Sequence, residues 1–113
     1  MSADIYCWEP SLKLDLADFE SVDRLDALYN SAEAPSAILV AFIAALLEKH
    51  PDSDDSPWSV GPPGGQIHGR FVNVEVSWSQ YDEVGPFVVE TAKRFGLCCF
   101  DLATENLYAQ DTH

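Results

Sequence analysis

Hydrophobic and polar positions alternate most cleanly between Phe71 and Trp78. Val72, Val74, Val76 and Trp78 face one way, and Phe71, Asn73, Glu75 and Ser77 the other. This period of two predicts a strand, running from Gln66 to Trp78, in a sheet with one face covered and one face open. A helical period governs the segment after Pro35-Ser36: Ile38, Leu39, Phe42, Ile43, Leu46 and Leu47 form one broad stripe. Val40, Ala41, Ala44 and Ala45 leave little polar surface elsewhere on this helix, which is therefore expected to be largely buried. His50-Pro51 ends it, because a residue before proline is biased away from the helical region.

The remaining elements are shorter. Asp4 to Trp8, bounded by Glu9-Pro10, reads as a first strand. Between Leu12 and Tyr29 the pattern is weak, with Ser21 placed to cap a helix carrying Val22, Leu25 and Leu28. Trp58 to Val60 is a short strand candidate, followed by the turn Gly61-Pro-Pro-Gly-Gly65. A second clear helix begins between Asp82 and Pro86, with Val84, Phe87, Val88, Ala92 and Phe95 as its apolar stripe and Gly96 as a left-handed cap. Leu97 to Phe100 makes a last strand, with Asn106 to Ala109 a short extension. Residues 1–113 thus read as a single acidic α+β domain, a small mostly antiparallel sheet of about four strands. With the weak helix set aside, the order is β-α-β-β-α-β, the ferredoxin-like order, with helices on one face of the sheet.

Charge changes the picture more than composition does. Hydrophobic residues make up 47% of the 113, a globular proportion. Nineteen acids against six bases give a formal net charge of −13. The excess is concentrated in residues 1–55, which hold twelve acids and three bases. Phosphate backbones are bound mainly through Lys and Arg, so direct nucleic-acid binding is not expected. A basic protein partner is the complementary class, while keeping a small protein soluble is the simpler use of the same charge. The apolar run Ala37 to Leu47 falls short of the ~20 residues that span a bilayer, so no membrane partner is expected. Asp4 and Glu9 stand where a signal peptide carries basic residues, and Cys7, Cys98 and Cys99 form no even disulfide framework. Both features lead us to expect a cytoplasmic protein.

Motifs for chemistry are missing. An EF-hand loop begun at Asp52 needs glycine and glutamate where Pro57 and Pro63 stand. The vicinal pair Cys98-Cys99 lacks the electropositive surroundings of a reactive thiol, with His68 the one mid-chain histidine available to it. In a strand, one of the pair is expected to face the core and the other outward. His50, His68 and His113 have no metal-ligand spacing, and Gly61, Gly64 and Gly65 do not open a helix as a phosphate loop does. Glu75 with Glu90 or Asp101 is an acid–base pair of the kind any acidic chain supplies. No catalytic residue, cofactor or metal is expected. What remains is a binding surface: Asp15, Asp18, Asp23 and Asp26 along the weak helix, Asp52, Asp54 and Asp55 beside Trp58, and then Glu75 on the open sheet face. Tyr81 beside Asp82-Glu83 and Tyr6 near Glu9 are further aromatic anchors flanked by carboxylates.

Three segments carry a family resemblance: Asp4-Ile-Tyr-Cys-Trp8; Asp54-Asp-Ser-Pro-Trp58 with Gly61-Pro62; and Phe87 to Leu97 running into Cys99-Phe100-Asp101. Together they resemble small bacterial cytoplasmic proteins, some of which look like immunity proteins of polymorphic toxin systems. Leu102 departs from that group, where proline often follows the aspartate. The resemblance implies a protein that neutralises a toxin, a basic bacterial domain, by masking its active site, and no enzyme activity. Two other classes stay open: a small enzyme or ligand-binding protein with a pocket on the open sheet face, and a homo-oligomeric domain, dimeric when free.

Overall fold

The computed structural model describes residues 2–51, 58 and 67–108. Four strands, β1 (Ser2–Trp8), β2 (Phe71–Ser77), β3 (Cys98–Asp101) and β4 (Asn106–Tyr108), form one antiparallel sheet in the order β2-β1-β3-β4. Three α-helices accompany it: α1 (Val22–Tyr29), α2 (Ala37–Lys49) and α3 (Tyr81–Arg94), with a 3-10 helix at Leu16–Glu20. The α+β class and the four-stranded antiparallel sheet are as expected, and the element order matches β-α-β-β-α-β loosely. Trp58 stands as an isolated bridge on Val76 where a short strand was expected, and Ser59 and Val60 lie outside the described residues.

β1 is the central strand, and its two faces serve two different cores. Ile5 and Cys7 join Val72, Val74, Val76 and Cys99 beneath α2 and α3, which contribute Leu39, Phe42, Leu46, Val84, Val88 and Ala92. Tyr6 and Trp8 join Phe71, Cys98 and Phe100 on the opposite face. That second face was expected to be open. The weakly patterned segment covers part of it instead: Phe19 of the 3-10 helix lies 5.1 Å from the Tyr6 ring, 5.2 Å from Trp8 and 4.8 Å from Phe100. Leu28 of α1 closes the same cluster. Helices therefore lie on both faces, the two long ones together on one side as expected.

Local chemistry fixes the ends of these elements. Asp15 accepts hydrogen bonds from the Ala17 and Asp18 amides, and the Asp18 carboxylate accepts one from the Asp15 amide, a reciprocal cap for the 3-10 helix. Ser21 caps α1 through the Arg24 N–H. α3 ends at Gly96, whose φ of 71° lets Gly96 N–H reach the Lys93 carbonyl and Leu97 N–H the Ala92 carbonyl. It starts at Tyr81, earlier than expected, and holds Pro86 within its length.

Two expectations are corrected here. β2 stops at Ser77 and starts at Phe71, so Trp78 does not extend the valine face. It opens a 3-10 turn, is 44% exposed, and tilts against Tyr81. The turn is closed by a hydroxyl pair, Ser77 to Ser79 at 3.0 Å, and delivers the chain into α3. α2 is not largely buried either. Leu39, Phe42, Ile43 and Leu46 face the sheet, but Ile38 and Val40 are exposed together with Ala37, Ala41 and Ala44. A helix seated on a sheet needs only one stripe for the core, and here apolar residues occupy the outer side as well.

If Phe19 anchors the second core, Phe19→Ala costs about 3 kcal/mol in urea unfolding, the low end of the range for a buried aromatic. Val22→Ala, three residues away and 73% exposed, changes stability by less than about 0.5 kcal/mol. Equal effects at the two positions would show that the segment does not seal this face.

Candidate functional site

The register of β1 on β2 decides what the partly covered face offers. Trp8 pairs with Phe71, Tyr6 with Asn73, and Asp4 with Glu75. The first pair lies under the 3-10 helix and α1. The last lies beyond them, where Asn73, Glu75 and Ser77 are each half-buried. Two carboxyl groups thus sit side by side where the helical cover ends. Like charges directly opposite in an antiparallel pair repel. Burial, the Asp4 charge and a hydrogen bond with Asp4 all hold the Glu75 carboxyl above the usual glutamate range, in that order of size.

The surroundings of this pair are polar and aromatic. Tyr29, at the end of α1, accepts a 3.2 Å hydrogen bond from Asn73 Nδ2 and is hydrogen-bonded to Tyr6. Burial, with the nearby tyrosine and acids, pushes the Tyr6 phenol far up, so it stays a neutral donor. Asp4 Oδ1 and Asn73 Oδ1 are buried with no hydrogen-bond partner among the described residues. A recess with two unanswered acceptors and a pair of carboxyls is chemically suited to a group that only donates, an ammonium or a guanidinium.

Acidic residues of the weak segment adjoin the same face. Asp15, Asp23 and Asp26 are exposed, while Asp18 is half-buried and pairs with Arg24 at 3.4 Å. Arg70, which precedes β2, is likewise held by Glu33 at 3.4 Å. The arginines carried by these segments are therefore already matched by carboxylates. The two acidic candidates that belong to separate elements in sequence, the weak helix and Glu75, share one side of the sheet. Asp52, Asp54 and Asp55 lie outside the described residues.

Other expected contributors sit elsewhere. Trp58 is 5% exposed, in the core beneath α2, and its indole N–H donates to the His50 carbonyl at 2.7 Å. Tyr6 is buried as well. Neither is a surface anchor. Tyr81 is half-buried on the helical side and donates its phenol hydrogen bond to Asp101. Asp101 pairs with Ile5, on the face opposite Glu75, so the two carboxylates do not form an acid–base pair. Glu90 is exposed on α3, which packs on that opposite face.

Both vicinal cysteines are buried, Cys98 in one core and Cys99 in the other, because the sheet has two cores. Cys99 Sγ lies 3.3 Å from Cys7 Sγ across the β1–β3 ladder. Burial and the neighbouring thiols push the Cys7 thiol well above its ordinary range, so it resists becoming a nucleophile. No group of three metal-binding side chains occurs among the described residues, and no helix among them is long and apolar enough to cross a membrane. Asp4 and Tyr29 were the contributors to this recess that pattern reading passed over. Asp4 shares the alternation of Tyr6 and Trp8, but only the register places it beside Glu75. In comparisons with known proteins, no family model, no curated protein and no solved structure matches the chain.

Two outcomes follow from these environments. A glutamate whose folded pKa is raised binds more protons folded than unfolded. Stability is therefore lost as pH climbs from the ordinary glutamate range through the raised value of Glu75. Glu75→Gln raises the melting temperature at neutral pH and flattens that part of the profile; a lowered melting temperature would contradict the repulsion. Ellman's reagent labels none of the three cysteines within minutes in the native protein and all three in denaturant. Rapid native labelling of any one would overturn their assignment as inert core residues.

Proposed function

We propose that the protein is a binding module, an immunity-type protein that holds a basic bacterial toxin domain and masks its active site. The reading rests on one observation above the others. The acid pair Asp4–Glu75 lies at the edge of the helical cover, on the side where Asp15, Asp23 and Asp26 are exposed and where Arg24 and Arg70 are already engaged. An arginine or lysine of the partner placed in the recess would supply donors to Asp4 Oδ1 and Asn73 Oδ1 and relieve the repulsion between the carboxyls. The net charge of −13 would meanwhile steer a basic domain towards this side and raise its association rate.

The reading expects a basic toxin domain to be encoded beside this protein's gene, and the test uses that domain. Stopped-flow mixing gives a one-to-one complex whose association slows as ionic strength rises. The double substitution Asp4→Asn with Glu75→Gln removes only charge, and weakens the complex by about tenfold or more, the cost of losing a buried charged hydrogen bond. Association that ignores salt would rule out electrostatic steering. A double variant that binds as tightly as the parent would rule out this side of the sheet as the interface.

A further inference from the structure

On the helical side of the sheet, α3 and the β3–β4 hairpin enclose a cleft of about 350 Å³. That volume is at the small end of the ~300–1,000 Å³ range of small-ligand sites. Asp101 lines it while only 4% exposed. Its carboxylate is held by neutral donors, the Tyr81 phenol and the Ala103 amide at 3.0 Å, and has no ion-pair partner among the described residues. Burial, the hydrogen bond to Asp101 and its charge push the Tyr81 phenol far up, so Tyr81 stays a neutral donor to the Asp101 carboxylate. Both donors to this carboxylate are neutral, so a cation placed in the cleft would add a charge-assisted hydrogen bond to it.

The architecture keeps this arrangement in place. A Cβ on Gly85 would come within 2.8 Å of the Tyr81 ring, so glycine there leaves the ring its position. Pro86, within α3, has no N–H to give to the Asp82 carbonyl, so that carbonyl lacks its usual helical donor. Between the deep charge and the rim the wall is apolar, formed by Pro86, Val89 and the Tyr108 ring. At the rim stand two exposed carboxylates, Asp82 and Glu90. The face of Tyr108 already receives a cation, Lys93 Nζ at 5.1 Å from its centroid.

We propose that this cleft binds a short aliphatic diamine. One ammonium meets Asp101, the methylene chain lies along Pro86, Val89 and Tyr108, and the second ammonium meets Asp82 and Glu90. Lys93 competes for the same aromatic face and acts as an internal occupant that the ligand displaces. The site is on the other face of the sheet from the acid pair and does not depend on the proposed toxin-binding role.

Isothermal titration of the whole chain at constant ionic strength tests this, with putrescine as the probe, n-butylamine as a mimic of a partner's lysine, and Mg²⁺ as a control for charge alone. Putrescine binds one to one and about fivefold tighter than n-butylamine, the contribution of one further ion pair, with amide shifts confined to Tyr81, Val89, Thr104 and Tyr108. Asp101→Asn abolishes binding, with folding checked by near-ultraviolet circular dichroism. Should that variant unfold, two exposed positions carry the test. Glu90→Gln brings putrescine down towards n-butylamine, and Lys93→Met tightens putrescine about threefold by removing the competing cation. Equal binding of putrescine and n-butylamine, shifts spread over all surface acids and reproduced by Mg²⁺, or a Lys93→Met variant that binds no better would each overturn the proposal.

Discussion

The structure depends on β1 being buried on both faces. Its side chains alternate into two cores, Ile5 and Cys7 on one side and Tyr6 and Trp8 on the other. A central strand of this kind is stable only when something apolar lies above and below it. The helical side supplies two long helices. The other side has one α-helix of eight residues and a 3-10 turn, and this shorter cover ends before the Asp4–Glu75 pair. The boundary of the second core therefore sets the position of the polar recess. The residues that make it chemically distinctive, Asp4, Asn73 and Glu75, are polar positions on that face where the shorter cover ends.

This arrangement separates two kinds of acidic residue. Asp15 and Asp18 have local structural work, capping a helix and each other's amides, and Asp18 also holds Arg24. Asp23 and Asp26 are exposed on α1, and Asp4 and Glu75 sit against each other at a cost to the fold. Exposed acids and exposed ion pairs contribute little to stability. A half-buried pair of like charges works against it, which is why the recess and not the more numerous surface acids carries the functional reading.

Much of the fold was legible because periodicity reports burial. The valines of β2, the Leu39–Leu46 stripe of α2 and the Gly96 stop of α3 are each a local pattern with a local cause. Legibility failed where burial came from contacts distant in sequence. Phe19 has no helical or strand period of its own, and it is buried because Tyr6, Trp8 and Phe100 converge on it. Trp58 beside an acidic run looks like a surface anchor. The His50 carbonyl, left over at the end of α2, gives its indole N–H a partner and lets the ring enter the core. Trp78 continues the valine alternation on paper, but the chain must turn there to begin α3. Glu75 was legible as a candidate and Asp4 was not, since the register that joins them is a property of two strands.

The outer side of α2 has a consequence for how copies of this molecule behave towards one another. Ile38, Val40 and the alanines beside them leave an apolar strip facing solvent. A net charge of −13 keeps molecules apart over distances set by the Debye length, about 8 Å in physiological salt. Such repulsion makes close approach of two strips costly whatever their mutual attraction. The acidity so acts as a colloidal barrier across the whole surface, and its strength is governed by the ionic composition of the solution. Concentrated salt screens this repulsion while Ile38 and Val40 stay exposed, so approach of two strips becomes less costly without any change in the fold.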